Sequence, residues 1–281
     1  MIWLGFFVSE ICYNRLLTSL LDHTLNTHSS PSPSPAPAAI KPLDIMYQDD
    51  DLVAINKPSG LLVHRSPIDK HETHFAVQEL RNQLGQHVYP LHRLDKPTSG
   101  VLVFALSREA ASFYGQQFQG HQIKKTYWAL VRGYGPQNMA IDHELRDEAD
   151  DYAGINTVGE PKQALTHVKC LKQFEIPLWV DRYATTRLSL MQCEPVTGRK
   201  HQLRRHLKHI GHPIVGDSRH GKGVLNRACE SYFGTGRLWL ACTQIVLTRR
   251  EGSLLVIDAL LAKNFAQVLK QLSHPHAGIS A

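Results

Sequence analysis

The stretch Leu91–Gly100 (LHRLDKPTSG) places one carboxylate, Asp95, beside His92 and between the cationic side chains of Arg93 and Lys96. An apolar run follows, so the acid is expected in a turn ahead of a buried strand. A carboxylate surrounded by cations stays ionised, which is the state that a nucleophile requires. Charge pattern alone favours a different interpretation, a structural carboxylate that bridges to Arg93 or caps a turn.

A second cluster has five lysine or arginine residues between positions 199 and 208. Apolar residues at helical spacing predict a helix over 199–210 that ends at Gly211. Lys200, Arg204 and Lys208 would then share one face, where like charges destabilise a helix by roughly a few tenths of a kcal/mol per pair. A carboxylate from elsewhere in the chain or a nucleic-acid phosphate would relieve this repulsion. The alternative is an ordinary solvated basic face.

A third stretch, Lys124–Gly133, alternates like a half-buried strand, with Lys125, Tyr127, Ala129 and Val131 on one face. Tyr127 could stack on a base, although a tyrosine in a strand is more often part of the core.

Two other patterns are set aside. Gly216–Lys222 imitates a phosphate-binding loop, but Gly223 replaces the hydroxyl residue that would hold magnesium, and no strong helix pattern follows. His201, His206 and His209 lack a nearby acid or cysteine at ligand spacing, which argues against a metal site.

Strand patterns outnumber helix patterns and do not alternate regularly with them. We therefore expect a sheet to position these three stretches. The order predicts an α+β fold with a large mixed, mainly antiparallel sheet flanked by helices. Predicted helices cover 73–84, ended by Gly85, a segment to about Gln119 capped by Ser107, and 263–272. Predicted strands cover 52–56, 100–106, 124–133, 165–174, 187–196, 238–247 and 254–257.

The composition is that of a basic globular protein, with 31 Lys and Arg against 25 Asp and Glu. This balance favours an acidic partner such as nucleic acid. Five scattered cysteines indicate free thiols in a reducing compartment, here the cytoplasm. We expect a poorly ordered N-terminal extension over 1–40 with a Ser/Pro-rich linker, a catalytic domain over 41–262, and a C-terminal helix and tail over 263–281. An over-long start, with initiation near Met46, and a cleaved signal peptide are the alternatives for the extension.

The motifs, in this order, resemble the signature of the RluA-type pseudouridine synthases, and the similarity runs from about Leu43 to Ile257. The family patterns H-R-L-D-x-x-T-S-G, K-x-Y-x-A-x-V-x-G, T-G-R-x-H-Q-x-R-x-H and P-I-x-G-D correspond to His92–Gly100, Lys125–Gly133, Thr197–His206 and Pro213–Asp217. Asn56–Gly60 also fits. One departure is Leu240-Ala241-Cys242, where the family commonly has L-H-A.

The resemblance implies isomerisation of uridine to pseudouridine without a metal or other cofactor. It implies Asp95 as nucleophile, attacking either uracil C6 or ribose C1′, Arg204 as its ion-pair partner, and Tyr127 as a stacking residue that also removes the C5 proton. Leu240 would line the pocket, and Arg93 would fill the stack that a flipped base leaves. The predicted phosphate contacts are Lys57, Arg65, Lys200, Arg205 and Lys208.

Further features, among them Val63–Ser66, Pro97 and Arg205, resemble the tRNA-modifying branch of the family. They imply tRNA as the partner, with uridine 65 in the T stem as target. We expect no membrane association and no obligate protein partner, and a monomer is compatible with the sequence. A ribosomal RNA synthase with the same chemistry and a non-catalytic RNA-binding protein are the alternatives.

Overall fold

A large mixed sheet, in which antiparallel pairs predominate, organises the chain in a computed structural model. The structure describes residues 42–65, 72–146 and 159–274, so the predicted N-terminal extension lies outside the described residues. From Leu43 onward the described chain belongs to one compact unit. The predicted α+β class, with a mainly antiparallel sheet and flanking helices, is confirmed.

Ten strands lie in the described residues. They are β1 (Ile45–Gln48), β2 (Leu52–Lys57), β3 (Tyr89–Pro90), β4 (Ser99–Ala105), β5 (Lys124–Arg132), β6 (Asn138–Asp142), β7 (Leu165–Ile176), β8 (Thr186–Pro195), β9 (Leu240–Thr248) and β10 (Leu254–Asp258). Their order across the sheet is β1-β2-β4-β9-β5-β8-β7-β6, with β10 added on β9 and β3 on β4.

Five helices accompany the strands in the same residues. They are α1 (Ala76–Leu84), α2 (Arg108–Gln119), α3 (Gln202–His209), α4 (Gly223–Phe233) and α5 (Lys263–Ser273). Two predicted helix boundaries are confirmed. Gly85 ends α1 in the left-handed conformation at φ 67°, and the Ser107 side chain accepts a hydrogen bond from the Ala110 amide at the start of α2.

The middle of the sheet contains its one parallel pair among the described strands, between β4 and β9. Ser99 and Gly100 lie opposite Ala241 and Cys242 there. Gly100 has φ 107°, and a Cβ at this position would lie 2.0 Å from the Cys242 carbonyl oxygen. Only glycine allows this close approach, which brings the loop before β4 next to strands β5 and β9.

Burial follows from the position of each strand in the sheet. β4 is buried along its whole length, as expected for a central strand with both faces covered. The prediction that β5 has one exposed face is wrong, because Thr126 to Val131 are all buried. At the C-terminal end, α5 buries Phe265 against Trp239, with ring centroids 5.3 Å apart.

Two helix predictions are wrong. α3 begins at Gln202 and not at Arg199, because His201 has left-handed backbone angles, φ 54° and ψ 26°, that a right-handed helix cannot contain. Lys200 therefore lies outside the helix, and the predicted basic face does not form. A helix also follows the imitation phosphate loop, since α4 begins at Gly223.

Candidate active site

The loop between β3 and β4, residues 91–98, positions Asp95 at the edge of the sheet. The Thr98 amide donates to the Asp95 carbonyl oxygen at 2.9 Å, which closes a tight turn around the acid. Leu94 is buried and anchors the loop in the core. The Gly60 amide donates to the Lys96 carbonyl at 2.9 Å and ties the loop to the turn after β2. The carboxylate of Asp95 is thus held by a loop fixed at both sides.

Lys57 is buried beneath this loop, with no exposed surface. Its ammonium donates to the carbonyl oxygens of Pro58 at 3.0 Å, Leu61 at 2.7 Å and Lys96 at 3.1 Å. Burial lowers the pKa of Lys57 to about 7, although the Asp95 charge raises it in part. The predicted phosphate contact for Lys57 is therefore wrong, because all three ammonium donors serve the backbone below the Asp95 loop.

Arg204 lies between two carboxylates. From α3, its Nη1 donates to Asp95 Oδ2 at 3.1 Å, while Nε and Nη2 donate to Asp217 Oδ2 and Oδ1 at 2.7 and 2.8 Å. Burial lowers the pKa of the guanidinium, but the hydrogen bonds and charge of Asp217, together with the Asp95 charge, raise it overall. The predicted pair of Asp95 and Arg204 is present, and the carboxylate that relieves the repulsion in the basic cluster comes from within the chain.

Asp217 was missed as a site residue, although it stands in the P-I-x-G-D motif. Its side chain is fully buried, and the amides of Arg219 and His220 both donate to Oδ1 at 2.9 Å. Burial raises the pKa of Asp217, but the Arg204 hydrogen bonds and these amides lower it overall. The preceding Gly216 has φ 78° and comes so close to Arg237 that a Cβ would lie 1.7 Å from its carbonyl oxygen. A buried arginine requires such an acid, and that requirement is the signal that could have identified it.

Tyr127 extends from β5 into the same site and is 8% exposed. Its neighbour is the Cys242 thiol, at the position where the late strand departs from the family pattern. Burial raises the pKa of Tyr127 well above its usual value, and the Cys242 and Asp95 groups raise it further. Tyr127 is therefore a neutral phenol at neutral pH, so it can remove a proton only if it passes its own proton on.

A cavity of about 710 Å³ brings these side chains together. Among the predicted residues, it is lined by Arg93, Asp95, Tyr127, Arg204 and Leu240. The lining also includes residues that were not predicted as site residues, among them His201 and Lys125. Such a volume is in the range of small-ligand sites and is ample for one nucleotide, with one carboxylate, cationic donors and an aromatic ring converging on it.

The remaining predicted contacts lie outside the cavity lining. Arg65, Lys200 and Lys208 are exposed, and Arg65 covers the Phe75 ring at 5.7 Å. Arg205 is half-buried, and its Nη1 donates to the Arg146 carbonyl at 2.8 Å. The structure therefore separates these four cations from the reactive centre.

Within residues 42–65, 72–146 and 159–274, no group of His, Cys, Asp and Glu side chains has the arrangement of a metal site. In those same stretches, no helix combines the length and apolar character that crossing a membrane requires.

Comparison with known proteins identifies the class. Residues 51–209, more than half of the chain, match the family model of RNA pseudouridylate synthase. The human RNA Pseudouridylate Synthase Domain Containing 4 structure superimposes with a TM-score of 0.61 at 25% identity, covering 82% of this chain and 93% of that one. The chain belongs to the RNA pseudouridylate synthase family and is an isomerase enzyme, as its motifs predicted.

Closer relatives are named tRNA pseudouridine synthase C. The chain is 51% identical over 205 residues to the protein of Vibrio cholerae serotype O1, covering 72% of this chain and 84% of the relative. It is 45% identical over 245 residues to that of Vibrio vulnificus, covering 85% and 99%. It is also 52% identical over 207 residues to that of Pectobacterium carotovorum, covering 73% of this chain but only 55% of the relative's length.

Proposed function

We propose that this enzyme converts a uridine of tRNA, uridine 65 in the T stem, to pseudouridine, with Asp95 as nucleophile. The relatives named tRNA pseudouridine synthase C support the substrate. One observation carries the catalytic part. Asp95 Oδ2 lies 3.1 Å from Arg204 Nη1 at the wall of the cavity, with the Asp95 side chain 31% exposed. A partly exposed carboxylate beside a fixed cation can reach a substrate while the cation holds its orientation.

The reaction moves the ribose from one atom of uracil to another. The bond between N1 and C1′ breaks, a bond between C5 and C1′ forms, C5 loses its proton and N1 gains one. Atoms and electrons balance without an oxidant or reductant. Asp95 attacks either uracil C6 or ribose C1′ and leaves after the base has rotated, and both routes use the same oxygen donor.

Arg204 and Tyr127 have separate roles. Arg204 orients Asp95, because its other donors are held by Asp217. Tyr127 stacks on the uracil ring, where an aromatic contact stabilises a bound base by about 1–3 kcal/mol. Tyr127 is a neutral phenol, so it can accept the C5 proton only while its own proton passes to an acceptor, and the Asp95 carboxylate can be that acceptor once it has left the substrate. This proton then passes through solvent to N1, so that both side chains return to their starting states.

The RNA must present an unstacked nucleotide, since a base inside a duplex cannot reach the cavity. Arg93 is exposed and lines the cavity, which suits a planar cation that fills the vacated stack. Leu240 packs against the base. Phosphates are contacted by the four cations outside the cavity lining, Arg65, Lys200, Arg205 and Lys208. The affinity for tRNA therefore falls as the salt concentration rises.

Pseudouridine mapping tests the substrate. In RNA from a strain that lacks this gene, we expect pseudouridine to disappear at tRNA position 65 and to return with the wild-type gene but not with Asp95→Asn. A site lost in ribosomal RNA instead would refute the tRNA assignment. The monomeric state, independence from protein partners and cytoplasmic location stay predictions.

A further inference from the structure

His201 lies beside the proposed nucleophile and has no role in the reaction described above. Its Nε2 lies 3.9 Å from Asp95 Oδ2, and its Nδ1 lies 3.0 Å from His220 Nε2. The ring lines the cavity and is 14% exposed. We propose that His201 is a positioning residue that fixes the rotation of the Asp95 carboxylate together with Arg204. This inference rests on the proposed role of Asp95 as nucleophile.

The backbone of His201 supports a specific placement of its ring. It is one of three non-glycine residues with positive φ in the described part of the chain, with His121 and Asp181. Such a conformation is unfavourable and persists where the surroundings determine it, often at a functional site. Here it precedes α3 directly, so that His201 and Arg204, three residues later, approach the same oxygen, Asp95 Oδ2.

The chemistry of the acceptor determines which ring nitrogen carries the proton. A carboxylate oxygen accepts, so Nε2 of a neutral His201 must carry the proton that faces Asp95. Nδ1 then accepts from the Nε2–H of His220. The His220 amide in turn donates to Asp217 Oδ1 at 2.9 Å. Asp217 therefore supports both groups that hold Asp95, Arg204 directly and His201 through His220.

The two carboxylate oxygens of Asp95 have different surroundings. Arg204 and His201 both face Oδ2, and Oδ1 has no hydrogen-bond partner among the residues that the structure describes. Oδ1 is thereby left for the substrate. The distance of 3.9 Å exceeds a hydrogen bond, and we expect it to shorten when the bound base excludes water, as catalytic hydrogen bonds commonly do.

Two substitutions at one position separate the two ring contacts. In His201→Asn the amide can replace Nδ1 and keep the His220 contact, but it does not reach Asp95. In His201→Gln the longer amide can replace Nε2 and restore a donor towards Oδ2. We expect His201→Asn to lower kcat about 10–100-fold with KM and tRNA binding nearly unchanged, since misplacement of about 1 Å has effects of this size.

His201→Gln should recover most of this kcat, which a merely structural role would not produce. The matched control is His274→Asn, because this exposed histidine follows the last helix, where its ring contacts the Lys270 carbonyl, and the kcat of this variant should equal that of the wild type. His220→Ala gives a second variant if His201→Asn fails to fold, and it too should lower kcat at constant KM.

Equal kcat for His201→Asn and wild type, equal losses in the Asn and Gln variants, or a change in KM alone would overturn the positioning role. Asp95→Asn is assayed in parallel. If it remains active, the nucleophile assignment itself fails. If it is inactive while His201→Asn has full activity, only the role of His201 is refuted.

Discussion

Arg204 and Lys208 stand one turn apart on the same helix, yet they belong to two different parts of the molecule. Arg204 is 6% exposed and is held by two carboxylates, whereas Lys208 is exposed. The same contrast separates Lys57 from Lys200. Side-chain charge alone therefore does not identify an RNA contact. Burial divides the cations into a group that constructs the site and a group that is exposed to solvent.

The two groups should respond differently to substitution. Removing one partner of a buried ion pair leaves an uncompensated charge in a region of low dielectric, which is strongly destabilising. Exposed charges are screened by water and salt, so their loss should affect RNA binding and leave folding nearly unchanged. Variants in the buried group test this distinction through unfolding, and variants in the exposed group test it through salt dependence.

The largest effect is expected for Asp217→Asn. It removes the fully buried one of the two carboxylates that pair with Arg204, and loss of a buried partner typically costs about 3–5 kcal/mol. Chemical denaturation measures the change in unfolding free energy. Asp181→Asn is the matched control, because the pair that Asp181 forms with Lys222 is exposed, and it should leave the denaturation midpoint unchanged. Equal effects in both variants would abolish the distinction between the two groups.

Lys57→Met should be next in size. The variant keeps the buried aliphatic stem but leaves three backbone carbonyls without their donor, at a cost of about 1–3 kcal/mol for buried groups that lose their partner. We also expect kcat to fall, because Lys96 O anchors the Asp95 loop through this ammonium. Lys208→Met is the control for stability. A Lys57→Met enzyme of normal stability and reduced tRNA affinity would restore the phosphate contact that we reject.

Acid should destabilise the protein through His92. Burial first, and then the Lys125 charge, lower the pKa of His92 to about 3, and its Nε2 accepts a hydrogen bond from the Val103 amide at 3.1 Å. In the unfolded chain His92 binds a proton near pH 6.5, whereas in the folded chain it does so only near pH 3. The contribution of His92 to the free energy of unfolding is therefore fully present above pH 6.5 and is lost as the pH falls from 6.5 towards 3. The loss from pH 7 to 4.5 is about 2–3 kcal/mol.

His92→Gln is the matched variant, because its amide oxygen can accept the same hydrogen bond and does not titrate. Its stability should fall less steeply than that of the wild type over pH 7 to 4.5 in urea titrations. Parallel pH profiles for the two proteins would contradict the assignment of this loss to His92.

The smallest effect on the fold is expected for Lys200→Ala and Lys208→Ala. Each should weaken tRNA binding and reduce the slope of log affinity against log salt by about 1, as expected for one lost phosphate contact. Binding titrations at several salt concentrations measure this slope. An unchanged slope in both variants would exclude these residues from the RNA contact, and a large loss of stability would place them with the buried group.

The sequence predicts local features better than it predicts burial. Gly85 and Ser107 act within their own helix ends, so their roles follow from neighbouring residues alone. The start of α3 was misplaced because an apolar stripe does not reveal the left-handed backbone of His201. For Lys57, the deciding contact is the Lys96 carbonyl, 39 residues away, and no local pattern brings these positions together.

Prediction of the site is limited in the same way, because its supporting contacts join residues that are distant in sequence. The family resemblance indicated Asp95, Tyr127 and Arg204, and the cavity contains all three. It did not indicate the role of Asp217, which binds Arg204 across 13 positions and two different elements. The sequence suggests no role for His201 beyond a metal ligand, because its approach to Asp95 depends on the loop packing that the sheet imposes.

The most direct test of the account is single-turnover isomerisation of tRNA by Asp95→Asn and Asp95→Ala, with tRNA binding measured on the same preparations. We predict no detectable pseudouridine with either variant and affinity close to that of the wild type, since phosphate contacts lie elsewhere. Asp44→Asn, at an exposed acid outside the site, should remain fully active. Product formation by the Asp95 variants at a rate near that of the wild type would contradict the central claim that Asp95 is the nucleophile.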